Sequence, residues 1–211
     1  MNENMTSSIR KPLALSALLA LLACLGLTGC LSFLKPATAS ARYFVLTPLP
    51  AKTNVAMANP IAVGVGRVNL SDYLLDTSLA VRRGTNEIDY LLLSVWAERL
   101  DGGLQKTLAA NLAALLPTDQ IRLSAWERND VGVEVYVTIE RFDVDAEGRG
   151  QLTAWWRVVS PGGDKTLKAG TSRFTRNGPS PDSDPSGAVT TLSELVCDLS
   201  RQLSSTISEL R

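Results

Sequence analysis

Val131, Val133, Val135, Val137 and Ile139 alternate with Gly132, Glu134, Tyr136, Thr138 and Glu140. A period of two predicts a strand with one buried face and one wet face. Phe142 and Val144 then take the opposite parity, which predicts a bulge or a stretch covered on both faces. Turn residues from Asp145 to Gly150 lead into the apolar-rich run Leu152 to Val159, and Pro161-Gly162-Gly163-Asp164 lead into Leu167 to Phe174. These three runs predict an antiparallel meander. Upstream, Tyr43 to Leu46 (stopped by Pro48 and Pro50) and Ile61 to Val68 read as core strands. Ser78 to Arg82 and Ile88 to Val95 flank Gly84, Thr85 and Asn86 and read as a hairpin. Ile121 to Trp126 reads as a further short strand.

Two segments change period. From Glu98, Leu100, Leu104, Leu108, Leu112, Leu115 and Leu116 form a stripe at helical spacing, and Pro117 ends it. Leu192, Val196, Leu199, Leu203, Ile207 and Leu210 recur every three or four residues, with Thr191-Leu192-Ser193-Glu194 in the form of a capping box at the start. Between the meander and this last helix, Asn177 to Ser186 carries three prolines and predicts a surface connection with little order of its own. The expected fold is a single mixed α/β domain. It combines a mixed β-sheet containing the meander with two long amphipathic helices packed on it.

The first residues follow another pattern. Arg10-Lys11 precede an apolar run from Leu13 to Leu27, too short for the roughly 20 residues that span a bilayer. A basic start, a short apolar run and a small residue before the cut make a secretory signal. Its ending, Leu27-Thr28-Gly29-Cys30, resembles the lipobox of bacterial lipoproteins, in which the thiol receives a lipid and cleavage leaves the cysteine first. Residues 1–29 are therefore expected to be a signal peptide, 30–42 a lipidated tether with Cys30 as the lipidation site, and 43–211 the folded domain. Leu31 stands where an Asp would resemble an inner-membrane retention signal, so sorting by analogy favours the outer membrane, with the domain facing the periplasm.

Composition narrows the chemistry. The chain balances 21 Lys and Arg against 21 Asp and Glu, without a basic run, so nucleic acid is not an expected partner. It has no histidine, which removes the usual general base and the commonest zinc ligand. Of the three cysteines, Cys24 leaves with the signal, Cys30 is acylated, and Cys197, in an apolar helical stripe, reads as a small buried hydrophobe without a disulfide partner. Gly64-Val65-Gly66 lacks the third glycine and following helix of a nucleotide loop, and reads as strand glycines that allow close packing. Asp143, Asp145 and Glu147 surround one hairpin, where paired carboxylates or a hard-cation site are imaginable, but acidic residues beside a turn read first as solvated. No catalytic residue, metal ligand or cofactor is assigned.

A family resemblance rests on several short motifs in order: the lipobox, Tyr43-Phe44-Val45-Leu46, Asp72-Tyr73-Leu74-Leu75-Asp76, Trp96-Ala97-Glu98 at a helix start, and the long terminal amphipathic helix. The mature chain resembles PqiC-like lipoproteins, auxiliary lipoproteins of ABC-type transport systems that carry MCE proteins. The family pattern of Trp-Ala-Glu/Asp-Pro-Leu at the first long helix is matched except that Arg99 replaces the proline.

The resemblance implies an adaptor in lipid trafficking across the envelope. The chain would be held in the outer membrane by acyl chains on Cys30 and docked on an MCE-domain protein, with self-association left open. Two alternatives stay open beside it: a direct lipid carrier with an internal cavity, and a structural lipoprotein of another envelope assembly. Tyr73, Leu74 and Trp96 are the candidate contact residues, each with core packing as its competing reading. Trp155 and Trp156 are adjacent on a strand, so one is expected inside and the other at a surface or interface.

Overall fold

The strand with the clearest alternation, β6 (Val133–Asp145), is the axis of the sheet. The computed structural model describes residues 40–51, 61–116, 118, 120–123 and 126–210, so Cys30, the signal and Pro117 lie outside the described residues. Along one edge of β6 runs β7 (Arg149–Val159), antiparallel, followed by β8 (Thr166–Asn177), also antiparallel, which completes the expected meander.

The other edge of β6 is shared. Its first half pairs in parallel with β2 (Val63–Leu70), and its end, Val144 and Asp145, pairs in parallel with β3 (Ser78–Gly84). Two arms extend from there. On the β3 side, β4 (Glu87–Trp96) forms the expected hairpin, and β1 (Arg42–Phe44) adds in parallel to its end; on the β2 side lies β5 (Ile121–Leu123). Among the described residues these eight strands make one mixed sheet, and the fold is α/β.

The parity change predicted in β6 is a bulge between Ile139 and Arg141. Before it Val133, Val135, Val137 and Ile139 are buried; after it Phe142 and Val144 are. The wet face differs at Glu134, which is buried because Trp126 Nε1, the Tyr136 hydroxyl and the Gly162 N–H all donate to its carboxylate, at 3.1, 2.9 and 2.8 Å. Burial pushes the acidity of this group the unfavourable way, and the three hydrogen bonds outweigh it, leaving the carboxyl below its usual range.

Both helices pack on the sheet and against each other: α1 (Leu100–Leu115) on β2, and α2 (Pro185–Ser208) on β7 and β8. Leu104, Leu108 and Leu112 of α1 meet Leu192, Leu195, Leu199 and Leu203 of α2 in one core, each side chain contributing about 1.5–3 kcal/mol by leaving water. Asn111, wholly buried, crosses this interface: its Nδ2 donates to Ser200 Oγ at 3.0 Å and its Oδ1 accepts from the Leu49 N–H at 2.6 Å. A polar residue inside an apolar stripe is tolerated because both ends are satisfied. Leu116 leaves the helix with ψ 147°, the extended conformation that a following proline imposes.

Two expectations are corrected. α2 begins at Pro185, where Asp184 accepts from the Gly187 N–H at 3.0 Å, and the Thr191 hydroxyl bonds Gly187 O inside the helix instead of capping it. Asp followed by Pro is the stronger start because it supplies a cap and a fixed φ together. The Asn177–Ser186 connection is tied down. Gly178 N–H reaches Gly148 O at 2.9 Å, Ser180 Oγ reaches Ala146 O at 2.7 Å, and Arg83 clasps Asp182. Gly148 accepts this crossing because its φ of 93° and missing side chain leave room for the Pro179 backbone.

Candidate functional site

The 3₁₀ turn Asp72–Leu75 links β2 to β3 and is pinned to β6 by the Ser71 N–H, 3.0 Å from Ile139 O. Leu74 points into the core and Leu75 into solvent. Tyr73 is half-buried between them, and its hydroxyl donates to Asp143 Oδ2 at 3.0 Å while its carbonyl accepts from the Tyr90 hydroxyl at 2.9 Å. Arg82 Nη2 and Arg141 Nε reach the two oxygens of the same carboxylate at 2.9 and 3.0 Å. Burial, and then the negative charge of Asp143, push the Tyr73 hydroxyl up to about 12.

The expectation of solvated acids therefore fails for two of the three. Asp143 and Asp145 are buried and Glu147 is exposed. Arg82 and Arg141 pay the desolvation of Asp143, and Arg149 does the same for Asp145, with its N–H and guanidinium at 2.7 and 3.0 Å. Strand parity put Asp143 and Arg141 toward one face, and the tertiary fold brought Arg82 to them. The arrangement is one that holds a turn in place.

Leu74 and Trp96 come together at one cleft, whereas Tyr73 is directed to the Asp143 carboxylate. Trp96 ends β4 half-buried, and with Leu70, Leu74 and Leu75 it lines one side of a cleft of about 250 Å³ whose other side is Glu98 to Asp101 at the start of α1. Arg99, in the place of the family's proline, sits at the helix N-cap with φ −56°, the value a proline would have fixed. Its guanidinium pairs with Asp101 at 3.1 Å.

Trp155 and Trp156 face opposite ways, as strand geometry requires. Trp156 is 7% exposed, its Nε1 donating to Ser172 Oγ at 2.7 Å over a ring bed that Gly170 leaves open; Trp155 is 55% exposed. They lie on β7, across β6 from the Tyr73 turn. Of the five candidate contact residues, Leu74 and Trp156 are thus core residues, and Tyr73, Trp96 and Trp155 reach the surface to differing extents.

Sequence reasoning passed over Leu92 and Leu93. The β3–β4 ladder steps from Ser78 opposite Val95 to Leu79 opposite Leu91, so Leu92, Leu93 and Ser94 bulge out of register and both leucines are exposed. The signal was present in Leu91-Leu92-Leu93, since three successive apolar residues on a strand cannot all face one core.

The fold is shared with solved structures. Protein XCC0632 from Xanthomonas campestris superposes with a TM-score of 0.66 at 10% identity, over 81% of this chain and 96% of that one. An uncharacterized protein superposes with a TM-score of 0.60 at 19% identity, over 80% and 99%. Among curated proteins none matches the chain by sequence. The helix-backed mixed sheet thus defines a structural class, and sequence defines the family within it: the model of the ABC-type transport auxiliary lipoprotein component matches residues 44–204, and the chain belongs to that family.

Proposed function

We propose that this ABC-type transport auxiliary lipoprotein is an adaptor in lipid trafficking. Acyl chains on Cys30 anchor it in the outer membrane, and its periplasmic domain docks an MCE-domain protein of the transporter. The observation that carries this reading is the combination of a lipobox cysteine with a family domain that starts a short tether later and bears a half-exposed tryptophan, Trp155, on an ordered strand. Aromatic side chains held on rigid elements are the groups that anchor protein interfaces. Trp96 and the exposed Leu75, which line the 250 Å³ cleft, form a second contact region, with Tyr73 on the same turn as Leu75.

Packing favours an adaptor over a carrier. The space between sheet and helices is occupied by Phe142, Leu104, Leu108, Leu152, Leu195 and Leu199, side chains at 2% exposure or less, where a carrier would need room for acyl chains.

The test is purification of the full-length, acylated protein from membranes in mild detergent beside a Cys30→Ala control, with mass spectrometry of co-purifying proteins and lipids. MCE and ABC subunits with the wild type are expected. Stoichiometric lipid with no such subunits would replace the adaptor by the carrier.

A further inference from the structure

The first strand after the tether carries a surface that the adaptor reading does not use. Tyr43 and Val45 are 69% and 54% exposed, and Leu92 and Leu93 on the neighbouring strand are 76% and 49% exposed. β1 pairs in parallel with β4, Arg42 opposite Ser94 and Tyr43 opposite Val95, so Leu93 and Leu92 lie one and two register positions before the Arg42–Ser94 pair, beside the point where the tether joins the fold. By strand alternation Tyr43, Val45, Leu93 and Val95 share one face, opposite the Phe44 and Trp96 side chains that pack on the core. The bulge at Leu92–Ser94 holds the two leucines out of the β3 ladder.

We propose that this edge, Tyr43, Val45 and Leu93 on one face with Leu92 exposed at the bulge beside them, rests on the lipid surface that carries the Cys30 anchor. The proposal depends on Cys30 being acylated. Its occupant is set by where the chain outside the fold leads: eleven residues, 31–41, lie between Cys30 and Arg42, a reach of at most about 40 Å, so the bilayer that holds the anchor is kept at high effective concentration next to β1. The chemistry suits an interface rather than a bilayer interior. Leucine side chains enter the acyl boundary, and Tyr43 is amphipathic, with an apolar ring and a polar tip. Strand order runs β1-β4-β3-β6 and then β7, so a lipid-facing β1–β4 edge leaves Trp155 three strands away from β4, free for a protein partner.

The experiment uses the acylated, full-length protein in vesicles of phosphatidylethanolamine and phosphatidylglycerol, doped with a phospholipid that bears a diazirine on the part of its acyl chain next to the glycerol backbone. After illumination, tryptic peptides are mapped by mass spectrometry. Cleavage after Arg42 separates the anchor peptide from the one holding Tyr43 and Val45, and the Leu92–Leu93 peptide is distinct from both. Lipid adducts are expected on the latter two, and the Leu92→Asp/Leu93→Asp variant should lose them by about fivefold or more while keeping its acyl mass. Adducts confined to the Cys30 peptide of the wild type would overturn the proposal without needing the variant to fold. An N-terminal peptide lacking the acyl mass would overturn the anchor reading itself, and this proposal with it.

Discussion

Asp143 and Arg82 meet at 2.9 Å with the carboxylate wholly buried and the guanidinium only one-fifth exposed, and the Tyr73 hydroxyl closes the same carboxylate from the turn side. One buried charge thus fastens the 3₁₀ turn, the end of β3 and the post-bulge part of β6. Removing one partner of such a cluster leaves the others desolvated and unpaired. Asp143→Ala is expected to lower unfolding free energy by about 3–5 kcal/mol, and Tyr73→Phe by about 1 kcal/mol, both read from urea midpoints. An Asp143→Ala midpoint equal to wild type would mean that the cluster contributes nothing to stability.

The same hydroxyl sets an alkaline limit. Tyr73 is pushed up to about 12 in the fold, against about 10 in the unfolded chain, so between those values the unfolded state gives up a proton that the folded state keeps. Stability from this group is complete below pH 10 and is lost as pH rises toward 12. In an absorbance titration of tyrosinate, Tyr73→Phe should remove the highest step; persistence of that step would assign it to another tyrosine.

Adjacent tryptophans should separate folding from docking. Trp156→Ala, emptying a buried ring site, is expected to cost about 3–5 kcal/mol. Trp155→Ala should stay within about 0.5 kcal/mol of wild type and yet weaken capture of the proposed MCE partner. If pull-down is undiminished by Trp155→Ala, the β7 surface is not the docking site.

Gly66 is required by packing. A Cβ there would lie 2.6 Å from two carbons of the Tyr136 ring, on a strand buried beneath α1, so Gly66→Ala should destabilise by about 1–3 kcal/mol. Thermal unfolding checks this, and pairing it with Tyr136→Ala should recover part of the loss if the ring is the obstacle.

Cys197 should be inert in the native state. Burial pushes its thiol up, with the side chain 7% exposed. Iodoacetamide is expected to label it only after denaturation, and rapid labelling of the folded protein would show that α2 opens there.

The strands, the helices and even the β6 bulge were legible because each has a local cause: alternation in Val131–Ile139, the parity change at Phe142, and the leucine spacing of α1. Thr191-Leu192-Ser193-Glu194 misplaces the start of α2 because it matches one capping pattern, while Asp184 and Pro185, seven and six residues earlier, offer a stronger one that a proline-rich surrounding disguises. The partial legibility of the site has a similar origin. Adjacency alone sent Trp155 and Trp156 to opposite faces, but which of them is buried depends on Gly170 and Ser172 of the next strand.

The sequence by itself determined the element order, the membership of the family, the lipobox and the two-faced character of the strands, since these rest on residues near one another along the chain. Tertiary structure alone decided that β2 and β3 share one edge of β6, that Asp143 meets Arg82 across sixty-one positions, and that Leu92 and Leu93 emerge beside the first strand. These are pairings between distant segments, fixed by register and burial, which no local pattern of apolar and polar residues encodes.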